Sequence, residues 1–201
     1  MLHIGLTGGI ATGKSTVARM FQKRGAELLN LDKIAHRVLE PGSPSWEKLL
    51  ETFGETILHP DKTINRVKLA KIVFEDRNKL RTLENITHPA ILELWQNEVK
   101  KILRIKPETI LISEVPLLFE KNLTHNFDAT ILVYAPPTVQ IERLIKRDGI
   151  SRADAAKRLE AQMPIDKKLS LATYVIHNDQ GLDKTERQVQ NLWDKLVQKI
   201  I

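Results

Sequence analysis

Four residues near the amino terminus have the types and spacing that phosphate chemistry needs. Gly8, Gly13, Lys14 and Ser15 fill the pattern G-x-x-x-x-G-K-[ST]. Glycines let backbone N–H groups turn inward and approach phosphate oxygens, and a helix beginning at the Lys-Ser pair adds its positive N-terminal end. A lysine at this place reaches β- and γ-phosphates, and the hydroxyl after it binds Mg²⁺. Gly8, Gly9, Ile10, Ala11, Thr12, Gly13, Lys14, Ser15 and Thr16 are therefore expected to cradle a nucleoside triphosphate, with Ser15 as a metal ligand.

Such a loop works only between a strand and a helix. Leu2 to Leu6 is a short apolar run with the character of a buried strand. Ser15 to Arg24 carries Val17, Ala18 and Phe21 at helical spacing and stops at Gly25. Ala26 to Asn30 reads as a second strand, and Asp32 lies just past it. Ligands of open α/β sheets sit beyond the carboxyl ends of the strands, so Asp32 is expected to point toward the phosphates. An N-cap for the next helix is its other role, and the two roles are compatible. Ile110 to Ser113 is a third strand, followed by Glu114. A carboxylate there holds a water of the Mg²⁺ shell or pairs with the loop. Ala129 to Tyr134 and Tyr174 to His177 are the fourth and fifth strands, and Leu182 to Ile200 is a closing amphipathic helix.

Two stretches depart from the β-α rhythm. Between strands two and three only helical patterns occur, over Ser45 to Phe53, Val67 to Phe74, Arg77 to Ile86 and Ala90 to Leu103. Thr87-His88-Pro89 is expected to open the last of these, with Pro89 in its first turn. His88 is either a capping residue or a functional one. Between strands four and five, segment 140–168 has few large apolar residues and a glycine hinge at Gly149, as a lid should. It carries Arg143 and Arg147 at i, i+4, which are either solvated or placed over phosphates.

Composition sets the outer limits. A chain of 201 residues has room for one core and a small inserted subdomain. No apolar run approaches a membrane span, and residues 1–6 look like a strand rather than a signal peptide. Cysteine is absent, which excludes disulfides and thiolate metal sites. The net charge of +6 comes from 31 basic and 25 acidic residues that are interleaved, so two polyanionic small molecules explain it as well as nucleic acid does. No nucleic-acid partner, no membrane, a monomer and a cytoplasmic location are expected.

Taken together, these segments resemble the dephospho-coenzyme A kinase family nearly end to end. The resemblance rests on Gly5-Leu6-Thr7-Gly8-Gly9-Ile10 through Ser15, on Asn30-Leu31-Asp32-Lys33-Ile34-Ala35, and on His88-Pro89. It continues with Pro116-Leu117-Leu118-Phe119-Glu120, with Arg143, Arg147, Asp148 and Gln162, and with Ala172 to Asn178. Three positions depart from the family pattern: Asn30 and Thr173 stand where that pattern has Asp, and Glu114 where Asp is commoner.

The resemblance implies an α/β fold: a P-loop kinase with a five-stranded parallel sheet and helices on both faces. It implies a nucleotide-binding core (1–31, 108–139 and 169–201), a helical coenzyme-A-binding insert (32–107) and a helical lid (140–168). The implied reaction is ATP-dependent phosphorylation of the ribose 3′-hydroxyl of dephospho-coenzyme A, with Mg²⁺ as cofactor. Asp32 is then the base, and Lys14, Arg143 and Arg147 are the other catalytic groups. Asp32, His88 and Leu117 would bind the acceptor, Asn178 would lie at the nucleotide, and Glu114 would meet the metal through water. The alternative is a P-loop kinase acting on another small metabolite or nucleotide. A GTPase is disfavoured, because neither Asn-Lys-x-Asp nor Asp-x-x-Gly occurs.

Overall fold

A computed structural model describes residues 1–199. Five strands form one sheet: β1 (Leu2–Gly8), β2 (Glu27–Asn30), β3 (Ile110–Glu114), β4 (Ala129–Tyr134) and β5 (Tyr174–His177). Their order is β2-β3-β1-β4-β5 and every pairing is parallel. A parallel sheet buries both faces, which explains why β3 and β4 read as unbroken apolar runs rather than as alternating ones. The period of two still sorts their side chains. Ile4, Leu6, Ile110, Ile112, Ile131 and Val133 share a core with Val17, Ala18 and Phe21 of α1 (Lys14–Gln22) and with Val189, Leu192 and Leu196 of α9 (Leu182–Val197). On the opposite face a Cβ at Gly5 would stand 2.5 Å from Leu118 and 3.0 Å from Phe127, so the connection after β3 packs directly onto the β1 backbone.

Because all five strands run the same way, their carboxyl ends lie along one edge of the sheet, where β1 leads into the glycine loop. Between β4 and β5 come α6 (Pro137–Asp148), α7 (Arg152–Glu160) and α8 (Ile165–Leu169). Gly149 ends α6 in the left-handed conformation at φ 65°. The expected closing helix ends at Val197 in α9, and Ile200 lies outside the described residues.

The chain divides into two compact units, 31–105 and the remainder. The 31–105 unit is helical: α2 (Leu31–Arg37), α3 (Pro44–Phe53), α4 (Arg66–Phe74) and α5 (Arg77–Ile105). Its core is Leu49, Ile57, Ile64, Leu69 and Val73, with Leu80, Leu83 and Ile86 of α5 packed against it. Two expectations are corrected here. Asp32 does not cap α2, since the helix already begins at Leu31; it sits in the first turn, where a carboxylate complements the helix dipole.

The second correction concerns Pro89, which opens no helix and lies inside the 29-residue α5. An interior proline costs about 3 kcal/mol. Each apolar side chain that the continuous helix buries returns about 1.5–3 kcal/mol, and α5 packs against α2, α3 and α4, with Trp95 buried. Packing wins. Pro89 and Asn85 are both exposed, so water can satisfy the carbonyl that loses its donor.

Candidate active site

The loop after β1 is built from its own contacts. Thr12 is fully buried; its Oγ1 donates to Gly9 O at 3.0 Å and its N–H reaches the same oxygen at 3.4 Å. A Cβ at Gly8 would fall 2.6 Å from that hydroxyl and 2.8 Å from Val133 O, so the turn closes only over a glycine. Ala11 holds φ 58° and Gly13 φ 86°. Gly13 then serves as the N-cap of α1 without any side-chain acceptor, while its carbonyl takes Thr16 N and Val17 N at 3.0 and 3.2 Å. A helix N-terminus left without a side-chain cap is suited to an anion. Lys14 and Ser15 are the first residues of that helix.

Glu114, at the carboxyl end of β3, is 7% exposed and lies beside this loop. Ser15 Oγ donates to its Oε2 at 3.1 Å, and Asn30 Nδ2 donates to its Oε1 at 3.2 Å. The parallel register sets Asn30 opposite Glu114. Asn30, where the family pattern has an acidic residue, thus gives the buried carboxylate a donor instead of a second negative charge. A hydroxyl and a carboxylate in this arrangement fit Mg²⁺, which takes few protein ligands and completes its shell with water and phosphate. Among the described residues no group of three or more His, Asp or Glu forms a dedicated metal cage.

Behind the loop, α6 sends its two arginines to different neighbours. Arg143 donates to Ala11 O and Thr12 O, both at 3.4 Å, and to Asn178 O at 2.7 Å. Arg147 instead donates to both oxygens of Asp148, at 2.7 and 3.1 Å, which raises its own pKa and lowers that of Asp148. Arg158 of α7 joins the same carboxylate at 2.6 Å. Gln162, after α7, accepts from Ile10 N at 2.9 Å. That contact went unassigned at the level of sequence, although the glutamine belongs to the motif that carried the resemblance.

Asn178 is 5% exposed, and both ends of its amide are engaged by Thr12 and Thr185. It therefore braces the loop from behind. Leu117 is the exposed member of its segment, at 38%, between buried Val115 and Leu118. In the same segment Glu120 pairs with Lys168 of α8 at 2.6 Å, and Lys168 is wholly buried. Asp32 and His88 belong to the helical unit. Asp32 is exposed and follows Asn30 by two residues; His88 Nε2 stands 4.0 Å from Glu84 in the preceding turn.

A parallel sheet ordered 2-3-1-4-5, a glycine loop opening α1 and a buried carboxylate on the loop serine define a P-loop kinase. Comparison with known proteins takes this to a family. A family model described as Dephospho-CoA kinase matches residues 2–184. Dephospho-CoA kinases of Aquifex aeolicus and Syntrophus aciditrophicus are 45% and 42% identical to this chain. The first alignment covers 98% of both chains; the second covers 99% of this chain and 85% of the relative. A solved Dephospho-CoA kinase from Campylobacter jejuni superposes with TM-score 0.75 at 28% identity, covering 99% of this chain and 98% of the other. A shikimate kinase from Acinetobacter baumannii, 18% identical with TM-score 0.54 over 99% of this chain and 94% of its own, shares the fold. The chain belongs to the dephospho-CoA kinase family, and it is a kinase. The reading as a kinase for a different metabolite is not favoured.

Proposed function

We propose that the protein transfers the γ-phosphoryl group of ATP to the ribose 3′-hydroxyl of dephospho-coenzyme A, giving coenzyme A and ADP. The observation that carries this is the buried Glu114 accepting from Ser15 beside the glycine loop, in a chain of this family. The acceptor oxygen forms a bond to the γ-phosphorus while the bridging bond to the β-phosphate breaks, and the hydroxyl proton passes to the Asp32 carboxylate. Because the transition state is loose, positioning and charge neutralisation dominate.

In this reading the amides of the loop and Lys14 hold the β- and γ-phosphates. Ser15, with Glu114 through a water, would hold Mg²⁺, which would supply positive charge to offset that of the phosphates. Asp32 takes the proton, and His88 and Leu117 contact the acceptor. Arg143 braces the loop from its carbonyl side. Arg147 and Arg158, paired with Asp148, carry positive charge on the 140–168 segment. A lid role is supported for α7 by its sparse packing, since it buries only Ala155, and a cavity of about 300 Å³ lies between Gly9, Gln140, Gln162 and Ile165. No helix among the described residues is long and apolar enough to cross a membrane. A cytoplasmic monomer agrees with the reading.

The test is ADP release from ATP and Mg²⁺, with and without dephospho-coenzyme A, with the product weighed by mass spectrometry. Acceptor-dependent turnover to a product one phosphate heavier is expected. ATP hydrolysis indifferent to the acceptor would refute the reading.

A further inference from the structure

The side-chain amide of Asn178 lies directly behind the loop. Its Nδ2 donates to Thr12 O at 2.8 Å, in a contact that is buried on both sides. A Cβ on Gly13 would collide with the same nitrogen, so the amide is packed against the Gly13 backbone. Thr12 O can only accept, and this dictates which end of the amide faces it. Oδ1 then accepts from Thr185 Oγ1 at 2.9 Å, the closest of three oxygens within reach of that single hydroxyl proton. Thr185 is itself wholly buried, in the first turn of α9. The Asn178 backbone is held as well: its N–H donates to Tyr134 O at 2.8 Å and its carbonyl accepts from Arg143 at 2.7 Å.

These contacts bear on the phosphates through peptide geometry. No peptide bond in the described chain is cis, and in a trans peptide the C=O and the next N–H point in opposite directions. Holding Thr12 O on the protein side therefore aims the Gly13 N–H toward the open side of the loop, where α1 begins. Thr12 is fully buried, so water cannot replace the Asn178 donor; the carbonyl would keep only the long Arg143 contact of 3.4 Å, too weak to fix the peptide plane.

We propose that Asn178, oriented by Thr185, is a positioning residue that sets the Thr12–Gly13 peptide plane so that the Gly13 amide faces the nucleotide phosphates. This rests on reading residues 8–16 as the phosphate site. It assigns Asn178 and Thr185 no contact with either substrate, and it makes the β5–α9 connection part of the phosphate cradle.

The experiment measures kcat and KM for ATP and for dephospho-coenzyme A separately, with Tm, for Asn178→Asp, Thr185→Val and Thr185→Ser. The Asp variant sets a carboxylate oxygen against Thr12 O. Deleting an oxyanion donor costs about 10²–10³ in rate, so a donor that is mis-aimed should cost about 10–100-fold in kcat/KM for ATP. Thr185→Val should lose about 3–10-fold in the same parameter, with Thr185→Ser restoring it and KM for dephospho-coenzyme A moving less than about twofold. If Asn178→Asp fails to fold, the Thr185 pair decides alone. The proposal is overturned if Thr185→Val lowers Tm while kcat/KM for ATP stays at the wild-type value, or if KM for dephospho-coenzyme A rises as much as KM for ATP. Lys14→Met, run alongside, separates the two ideas: normal ATP kinetics there would remove the phosphate-site reading itself.

Discussion

Replacing Glu120 should destabilise the protein more than replacing its partner, although either change breaks the same ion pair. Lys168 has no exposed surface, whereas the Glu120 side chain keeps 18% of its own. Glu120→Gln removes the charge that compensates a wholly buried ammonium, and breaking a buried pair in this way costs about 3–5 kcal/mol. The glutamine still offers an oxygen to Nζ at the site of the present 2.6 Å contact, which places the expected cost near the lower end, about 3 kcal/mol. Lys168→Met removes the fully desolvated charge and fills its place with an apolar chain, while the Glu120 side chain keeps its 18% exposure although its Oε2 is buried; about 1–2 kcal/mol is expected. For a chain of this size 1 kcal/mol corresponds to about 2–4 °C in Tm, so the drops are about 6–12 °C and 2–8 °C.

The double variant is the sharper test. With the ammonium removed by Lys168→Met, a neutral amide in place of the Glu120 carboxylate strands no charge, so the two changes together should cost no more than Glu120→Gln alone. Urea unfolding of the four proteins gives the cycle directly. The reasoning is refuted if Lys168→Met costs as much as Glu120→Gln, or if the double variant equals the sum of the singles.

Three further outcomes follow from the site and the core. Asp32→Asn should lower kcat by about 10²–10⁴ with ATP affinity nearly unchanged, as steady-state kinetics and nucleotide titration would show; an unchanged kcat removes Asp32 from the chemistry. Glu114→Gln should raise the Mg²⁺ concentration needed for half-maximal turnover by about tenfold or more, because the loop serine loses its charged acceptor; an unmoved Mg²⁺ dependence would refute the metal reading. Burial pushes the His3 imidazole down to about 4, partly countered by Asp128. The unfolded chain then binds the extra proton first. His3 therefore costs no stability above about pH 6.5, and the protein loses on the order of 3 kcal/mol as the pH falls toward 4. In His3→Gln that acid loss should flatten, as urea unfolding at several pH values would reveal.

What could be read from the chain was what local pattern encodes. The glycine loop with its Lys-Ser pair, the five apolar strands and the helix after each of four of them are written in neighbouring residues, because strand and helix periods and turn chemistry act over a few positions. The helices of the 31–105 unit were legible for the same reason, up to the point where local chemistry and packing disagree. His88-Pro89 reads as a helix start because proline lacks an N–H. The structure runs α5 through it because Leu80, Leu83, Ile86 and Trp95 bury more than the missing bond costs.

The bracing of the site belongs to tertiary structure. Asn178 meets Thr12 across 166 positions of sequence and Gln162 meets Ile10 across 152. Asn30 meets Glu114 only because β2 and β3 are neighbours. Arg143 and Arg147 share a helix and a spacing, yet one holds the loop and the other an acid on its own helix. Residue types and short-range order say which chemistry a chain can do. Which side chains support it is decided when distant strands pair, since a hydrogen bond between far-separated residues leaves no periodic trace in the sequence.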